Sequence, residues 1–364
     1  MAALDKDLYQ KESAVRFCLI NGLIPFLEVD VLNFRELSET ETVITDFDVL
    51  GVKIEPTGQP QKILFDCKTS KVSPINRAFW ASGLMQYAGC DEAFVLLRRK
   101  ASEAHRLSAK TINVHLFDDS QFSNYAESCS IDFNVDYCYS TKIDNWVSLF
   151  NAKVGNNHFE QCFKISNINV PLEKDVTKVL RQLITAFQKS RGEFDPAKSK
   201  HRAIFYHATS SFAFLMAQII HDLRNVVDFD AELDDFERVV RFYIWGGRDS
   251  LRLRNKLKSA FASQNKSLPQ EEAEFNGWPM FVELCRSLLD SPADIQKCVN
   301  PLRELAMRSV TPIDEKKDAH LSSLIASNKR IRQFSMSLVR YFVTATKLPS
   351  EFISDLDKAF DDLR

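Results

Sequence analysis

The sequence lacks the residue patterns of metal-stapled, disulfide-rich or fibrous proteins. Its eight cysteines include no Cys-x-x-Cys pair and none closely spaced with histidine, so we expect neither a zinc ribbon nor an iron–sulfur cluster. Only 10 glycines and 12 prolines occur in 364 residues, which excludes a collagen-like or linker-dominated chain. Scattered single cysteines in a chain of this size are typical of the reducing cytoplasm, where we expect the protein to reside.

Neither a membrane protein nor a strong polycation is indicated. The N-terminal residues are charged from Asp5 onward, so we expect no secretory or transit peptide. The most apolar run, residues 203–220, is interrupted by histidine, threonine, serine and glutamine, and it predicts a buried core helix. The formal net charge is −2, so any nucleic-acid-binding surface must be a local patch.

The pattern of apolar residues changes along the chain. In the first 120 residues, short β-branched segments alternate with amphipathic ones in the order α-β-β-α-β-α-β, which predicts a small mixed sheet flanked by helices. Beyond about residue 170 the apolar residues follow a helical period, and we predict no strand there. We therefore expect an α/β domain in residues 1–150 and an all-α domain of unknown role in residues 151–364.

A hairpin is predicted in the middle of the first domain. Residues 44–54 and 62–68 are short, β-branched and partly alternating, which favours strands. The sequence between them, Pro-Thr-Gly-Gln-Pro at 56–60, is a strong turn signal. The two strands therefore pair across a slightly long loop.

Charged side chains converge at one end of this hairpin. Side chains alternate between the two faces of a strand, so Asp66 and Lys68 share one face while Cys67 faces the core. Pairing across the turn brings Asp48 alongside Asp66. Carboxylate oxygens are the ligands that Mg²⁺ prefers, and a metal there would polarise a phosphate and acidify a bound water. A lysine nearby can orient that water and stabilise charge on the phosphate oxygens, and the carbonyl of Cys67 is a possible further ligand. The alternative is that Asp66 and Lys68 form an ordinary surface ion pair.

Residues 8–120 resemble the PD-(D/E)xK nuclease superfamily, which has the restriction-endonuclease-like fold. The closest likeness is to its Holliday-junction-resolvase and methylation-dependent restriction branch. The family pattern is a helix bearing glutamate, a strand with aspartate before apolar residues, and a strand carrying (D/E)-x-K. Here Glu12 lies on the first helix, Asp48 precedes Val-Leu-Gly, and Asp66-Cys67-Lys68 supplies the tripeptide.

The resemblance implies a metal-dependent DNA endonuclease that uses Mg²⁺ or Mn²⁺. Its catalytic residues would be Asp48, Asp66 and Lys68, and its metal ligands Glu12, Asp48, Asp66 and Cys67. Two assignments stay open, because Asp46 lies near Asp48 and Glu28 also precedes the hairpin.

The family also implies partners. Four residues that follow the motif would surround the scissile phosphate of DNA: Thr69, Ser70, Lys71 and Arg77. Family members usually act as homodimers or as subunits of larger complexes, and analogy suggests a role in restriction or defence against foreign DNA.

Two further functions compete with cleavage of DNA. The nuclease fold could serve as a catalytically inactive DNA-binding or scaffolding module. Separately, Arg202 and His207 have the R-x4-H spacing that resembles HEPN ribonucleases and would predict metal-independent RNA cleavage. A basic stretch, residues 248–258, could bind a phosphate backbone, although it is equally typical of a solvated helix face.

Overall fold

Five strands form one mixed sheet in the first third of the chain. The structure, a computed structural model, describes residues 7–33, 39–228, 230–264 and 273–363. In spatial order the strands are β1 (Ile24–Leu32), β2 (Val43–Ile54), β3 (Pro60–Lys68), β4 (Glu92–Leu97) and β5 (Val114–Asp118). Strands β1, β2 and β3 pair antiparallel, whereas β3, β4 and β5 pair parallel. A meander thus continues into two strand–helix–strand units.

Four helices accompany this sheet: α1 (Leu8–Ile20), α2 (Pro74–Ala88), α3 (Glu103–Lys110) and α4 (Asp119–Cys129). Helix α2 has proline in its first turn and ends at Gly89, whose left-handed conformation (φ 68°) is common at helix C-termini. Helix α1 approaches β2 closely because Gly51 has no side chain; a Cβ there would lie 2.8 Å from Cys18 Sγ. The rings of Phe17 and Phe65 meet across α1 and the sheet, with their centroids 5.8 Å apart. This packing places α1 beside the part of β2 that carries the candidate site.

Helices make up the rest of the described chain, and no strand follows β5 within the described ranges. They are α5 (Ile143–Asn151), α6 (Asn157–Lys164), α7 (Val170–Leu172), α8 (Val176–Lys189), α9 (Ser199–Val226), α10 (Leu233–Ile244), α11 (Arg248–Gln264), α12 (Trp278–Leu288), α13 (Pro292–Gln296), α14 (Val299–Arg308), α15 (Glu315–Ala326), α16 (Lys329–Thr346) and α17 (Glu351–Asp361). Short helical turns lie at Tyr139–Thr141, Ile165–Asn169 and Arg191–Glu193.

The longest helix, α9, packs against α8, α13, α14 and α16. By length and composition alone it could cross a membrane, but its apolar window is entirely buried inside the structure. The prediction of a buried core helix over residues 203–220 is therefore confirmed.

Helix α14 joins the helical part to the sheet. Arg303 donates a hydrogen bond to the carbonyl of Pro25, and its guanidinium lies 4.6 Å from the centre of the Phe26 ring. Next to it, buried Glu304 accepts hydrogen bonds from the backbone N–H groups of Tyr139 and Ser140. Buried side chains from both parts form one continuous core. The predicted combination of a small mixed sheet with a helical region is confirmed, and the division into two domains at residue 150 stays a prediction.

Candidate active site

Strands β2 and β3 separate at the residues that carry the predicted chemistry. Their pairing runs from Ile54 opposite Pro60 to Val49 opposite Phe65. Beyond Val49, the carboxylate of Asp48 occupies the gap between the strands, and its Oδ2 accepts a hydrogen bond of 2.8 Å from the N–H of Cys67. Asp48 is therefore buried and held by the backbone of the neighbouring strand. Burial raises the pKa of Asp48, although Lys68 and the Cys67 N–H oppose that shift.

Lys68 links the two aspartates at this fork. Its Nζ lies 3.0 Å from Asp48 Oδ2 and 3.3 Å from Asp66 Oδ1. Burial opposes its charge, but the carboxylates of Asp66 and Asp48 more than offset this and raise the pKa of Lys68. Lys68 is thus a permanent cation at neutral pH, suited to donate hydrogen bonds rather than to accept a proton. The structure brings Asp48, Asp66 and Lys68 together as the hairpin pairing predicts.

Asp66 has a second cationic partner, on helix α2. The Nε and Nη2 atoms of Arg77 each lie 2.5 Å from one oxygen of Asp66, a bidentate ion pair. The guanidinium also stacks on the Trp80 ring, 3.5 Å from its centre. Both oxygens of Asp66 therefore contact protein groups. Arg77 binds Asp66, and its contact with DNA stays a prediction.

Lys11 and Glu28 complete the site from α1 and β1. Lys11 Nζ lies 2.5 Å from Glu28 Oε1 and 3.6 Å from Asp48 Oδ1, and only 2% of its side chain is exposed. Burial works against the charge of Lys11, but the two carboxylates outweigh it and raise its pKa. Burial raises the pKa of Glu28 to about 7, although Lys11 opposes the shift. Lys11 was not predicted as a site residue. A signal was present, since Lys11 precedes Val15 by four residues and Cys18 by seven and therefore lies on the same buried face of α1.

The backbone at Glu28 is unusual for this residue type. Its φ is +50°, in the left-handed region that residues other than glycine rarely adopt. The β1–β2 pairing skips Glu28, since Leu27 pairs with Val49 and Val29 with Phe47. Such a conformation costs about 1–3 kcal/mol and tends to occur at functional sites. In this protein the residue with the positive φ is the one whose carboxylate lies beside Asp48.

Three carboxylates form the group best suited to hold a cation. One oxygen from each of Glu28, Asp46 and Asp48 lies within 4.8 Å of the others. Three hard oxygen donors are the ligand type that Mg²⁺ and Mn²⁺ prefer. The residues present therefore fit a divalent ion, with Asp46 and Glu28, both left open by the sequence, as members of the set.

Glu12 does not belong to this group. Its carboxylate lies 3.2 Å from the N–H of Ile143 and 3.5 Å from Lys142 Nζ, at the start of α5. Successive helical residues point about 100° apart, so a helix that turns Lys11 toward Glu28 must turn Glu12 away. The structure thus corrects the position of the glutamate: Glu28, not Glu12, accompanies Asp48.

The remaining predicted residues lie around the fork. The thiol of Cys67 is fully buried, and burial raises its pKa well above the usual value, so no thiolate is available there. A role for its carbonyl stays a prediction. Thr69, Ser70 and Lys71 follow β3 and are exposed. Thr69 donates its N–H and its hydroxyl to the carboxylate of Asp7, which leaves Ser70 and Lys71 as the accessible polar groups beside Lys68.

The arginine and histidine of the ribonuclease alternative lie in different surroundings. His207 is 1% exposed, and its ring stacks on Phe163 with the centroids 4.7 Å apart. The Nε atom of Arg202 lies 3.8 Å from Oδ2 of Asp355, on a different face of α9 from His207. A histidine enclosed in the core cannot reach a ribose hydroxyl, which argues against the ribonuclease alternative.

Comparisons with known proteins add no identification. None of the family models, curated proteins or solved structures compared with this chain matches it. What the structure defines is an architecture, a mixed five-stranded sheet with four carboxylates and three cations gathered at the β2–β3 fork. The activity of that site is therefore inferred from its chemistry.

Proposed function

We propose that the chain is a metal-dependent deoxyribonuclease of the PD-(D/E)xK type. The observation that carries the proposal is the fork itself, where Lys68 Nζ lies within 3.3 Å of both Asp48 and Asp66 beside a set of oxygen ligands. The sequence resemblance implies this arrangement: an acid from one strand meets an acid-x-lysine motif from the next strand where the two strands separate.

A divalent cation, Mg²⁺ or Mn²⁺, would be held by Glu28, Asp46 and Asp48. When bound, it would neutralise phosphate charge and favour the ionisation of water. Asp66 contributes differently, because Arg77 and Lys68 occupy its oxygens. Its role in this arrangement is to position the ammonium of Lys68.

Lys68 would stabilise the reacting phosphate. Its ammonium has three N–H donors; Asp48 accepts a hydrogen bond from one, and a second is taken up by the ion pair with Asp66 at 3.3 Å. The third is available to a phosphate oxygen or to the attacking water, and the side chain is 22% exposed at the fork. Because Lys68 stays protonated, it acts by charge and hydrogen bonding, as a preorganised group does.

DNA cleavage tests this proposal directly. Supercoiled plasmid is incubated with the full chain in Mg²⁺ or Mn²⁺, with EDTA as the metal-free reference. We expect Asp48→Asn and Lys68→Ala to lower the cleavage rate about 10²–10³-fold, the usual cost of losing one group that stabilises a transition state. The matched controls Asp144→Asn and Lys110→Ala alter exposed residues on α5 and α3 and should cleave normally. Cleavage that persists in both site variants would overturn the proposal.

A non-catalytic nuclease fold is the second candidate, and one observation favours it. In a metal-binding acid-x-lysine motif the first acid usually offers an oxygen to the metal, whereas here Arg77 and Lys68 saturate Asp66. A network of this kind can be purely structural. Calorimetry separates the two functions: a scaffold binds DNA without binding Mg²⁺ or Mn²⁺, while the nuclease requires the metal. Dimerisation and a role in defence remain proposals by analogy with the family.

A further inference from the structure

A basic cleft lies near the N-terminal end of β2, away from the fork. Its volume is about 640 Å³, and its wall comes mainly from α8, with residues of α6, Trp245, Arg254 of α11 and the segment 274–276. Two acidic residues line it, Glu41 and Glu274. Five basic residues line it as well: Lys164, Lys178, Arg181, Lys189 and Arg254. The cleft therefore has an excess of positive charge in a chain whose overall charge is slightly negative.

The two acids of the cleft have cationic partners of their own. Glu41 forms an ion pair with Lys164, and Glu274 forms one with Arg241. Among the described residues, Arg254 and Lys189 have no ion pair. The carboxylate nearest to Arg181 is that of Asp175, at 3.9 Å, beyond hydrogen-bonding distance. Lys178 forms an ion pair with Glu173, so the cations of the cleft without a close carboxylate in the described ranges are Arg181, Lys189 and Arg254.

Trp245 lies between the two arginines. The guanidinium carbons of Arg181 and Arg254 lie 5.8 and 5.6 Å from the centre of its ring. Trp245 is 9% exposed, and its Nε1–H has no acceptor within the described part of the chain. A buried donor without an acceptor costs about 1–3 kcal/mol. Arg181 already donates hydrogen bonds to the hydroxyl of Thr177 and the carbonyl of Ile244. The indole N–H and the guanidinium of Arg254 have no acceptor within the described part of the chain, and an anion bound here would accept from both.

We propose that this cleft binds the phosphate backbone of the DNA that is cleaved at the fork. The inference rests on the proposed function. Arginine suits phosphate because its planar donors can bind two oxygens at once. Arg252 and Lys256 on α11 are exposed too, but they lie two residues on either side of Arg254 and therefore point away from the cleft. A backbone is an extended anion, which suits a cleft with several separate cations.

The position of the cleft suits a nucleic acid that also reaches the fork. Glu41, on the cleft wall, precedes Asp48 by seven residues, roughly 23 Å along an extended chain. That distance corresponds to about seven base pairs of a duplex, since successive phosphates on one strand are about 3.4 Å apart along the axis. A duplex of about seven base pairs is therefore long enough to span the separation.

Salt-dependent DNA binding tests the cleft independently of cleavage. A fluorescent 20-base-pair duplex is titrated in EDTA, so that binding is measured without the metal, and the affinity is followed over a range of salt concentrations. Log affinity falls as log salt rises, and each lost phosphate contact should make that negative slope shallower by about 0.9. We expect Arg254→Gln to show this change and about fivefold weaker binding at 0.15 M salt, because a slope difference of about 0.9 extrapolated from about 1 M salt gives that factor. Arg181→Gln combined with Arg254→Gln should double the change in slope.

The controls separate a local effect from misfolding and from the proposed function. Lys316→Gln with Lys358→Gln removes two exposed lysines from α15 and α17 and should change neither slope nor affinity. Arg254 is exposed, so its variant should fold normally, which circular dichroism checks. An unchanged slope in Arg254→Gln and in the double variant would overturn the inference, even if plasmid cleavage is normal. A reduced slope in a chain that never cleaves DNA would support the cleft and refute the proposed nuclease.

Discussion

Replacing Lys11 by methionine should have opposite effects on the metal-free protein and on metal binding. Methionine keeps the length and the apolar stem of the side chain but removes the ammonium that lies 2.5 Å from Glu28 and 3.6 Å from Asp48. Both carboxylates are largely buried, so the loss of this cation leaves their charge poorly compensated. The same loss removes the positive charge that competes with a metal ion.

The magnitudes follow from burial and charge. Breaking a buried ion pair usually costs about 3–5 kcal/mol. Glu28 can take up a proton instead, because burial already raises its pKa to about 7, so we expect a loss of about 2–3 kcal/mol at neutral pH, below that usual range. In contrast, a unit charge next to a divalent ion is repelled by several kcal/mol at an effective dielectric constant of about 20. Lys11→Met should therefore tighten metal binding at least tenfold.

Thermal unfolding with and without Mn²⁺ measures both effects. A ligand that binds only the folded state stabilises it in proportion to the logarithm of its affinity, so a tenfold gain adds about 1.4 kcal/mol. The matched control is Lys62→Met, another buried lysine of the sheet, at the far end of β3. Burial lowers the pKa of Lys62, so its charge stabilises the fold little, and its replacement should leave the response to Mn²⁺ unchanged. A response in Lys11→Met that is equal to or smaller than that of the unsubstituted protein would show that the acids do not bind the metal.

Three other substitutions test the fold that supports the site. Burial lowers the pKa of His207 well below its usual value, so acid protonates the unfolded chain first, and stability should fall below about pH 6.5 by up to roughly 1.4 kcal/mol per pH unit. Urea unfolding at pH 7.5 and pH 5 should show a smaller loss of stability in His207→Leu than in the unsubstituted protein. An identical pH dependence in the two proteins would show that His207 does not cause the loss. Gly51→Ala places a methyl group 2.8 Å from Cys18 Sγ and should cost about 1–3 kcal/mol in the same assay, whereas a neutral effect would mean that α1 is not held against β2 there. Glu304→Ala leaves the N–H groups of Tyr139 and Ser140 without an acceptor and should lower the free energy of unfolding by about 3 kcal/mol or more. Unaltered stability would show that these hydrogen bonds do not hold α14 against residues 139–140.

The hairpin at the centre of the site was predictable because its signals are local. A proline- and glycine-containing turn between two alternating segments sets which residues can pair, and the observed pairing ends at Val49 opposite Phe65. Asp48, Asp66 and Lys68 follow from that register alone. The helices after residue 170 were equally predictable, since their apolar period is visible in the sequence.

The other half of the site depends on tertiary contacts that no local pattern specifies. The meeting of Lys11 and Glu28 requires α1 to pack at one rotation on the sheet, β1 to be a strand of its own, and Glu28 to adopt a positive φ. Strand β1 was not separately assigned. Glu12 was selected as the family's helix acid by its position in the sequence, but rotation of α1 directs it to α5.

The position of the Arg77 side chain also depends on tertiary packing that the local sequence does not specify. A basic residue a few positions after a nuclease-like motif suggests contact with DNA, but the start of α2 brings its guanidinium against Asp66. The basic cleft combines residues from α6, α8 and α11, which are distant in sequence. Side-chain spacing could not reveal it, because the positive charge accumulates only after the helices pack.

Anomalous diffraction from a crystal of the full chain soaked in Mn²⁺ tests the metal centre most directly. The proposed site predicts one strong manganese peak among the carboxylates of Glu28, Asp46 and Asp48, and no peak there when Asp48 is replaced by asparagine. A crystal that binds manganese elsewhere, or that shows these acids still paired only with Lys11 and Lys68 at saturating metal, would contradict the account of a metal-dependent nuclease.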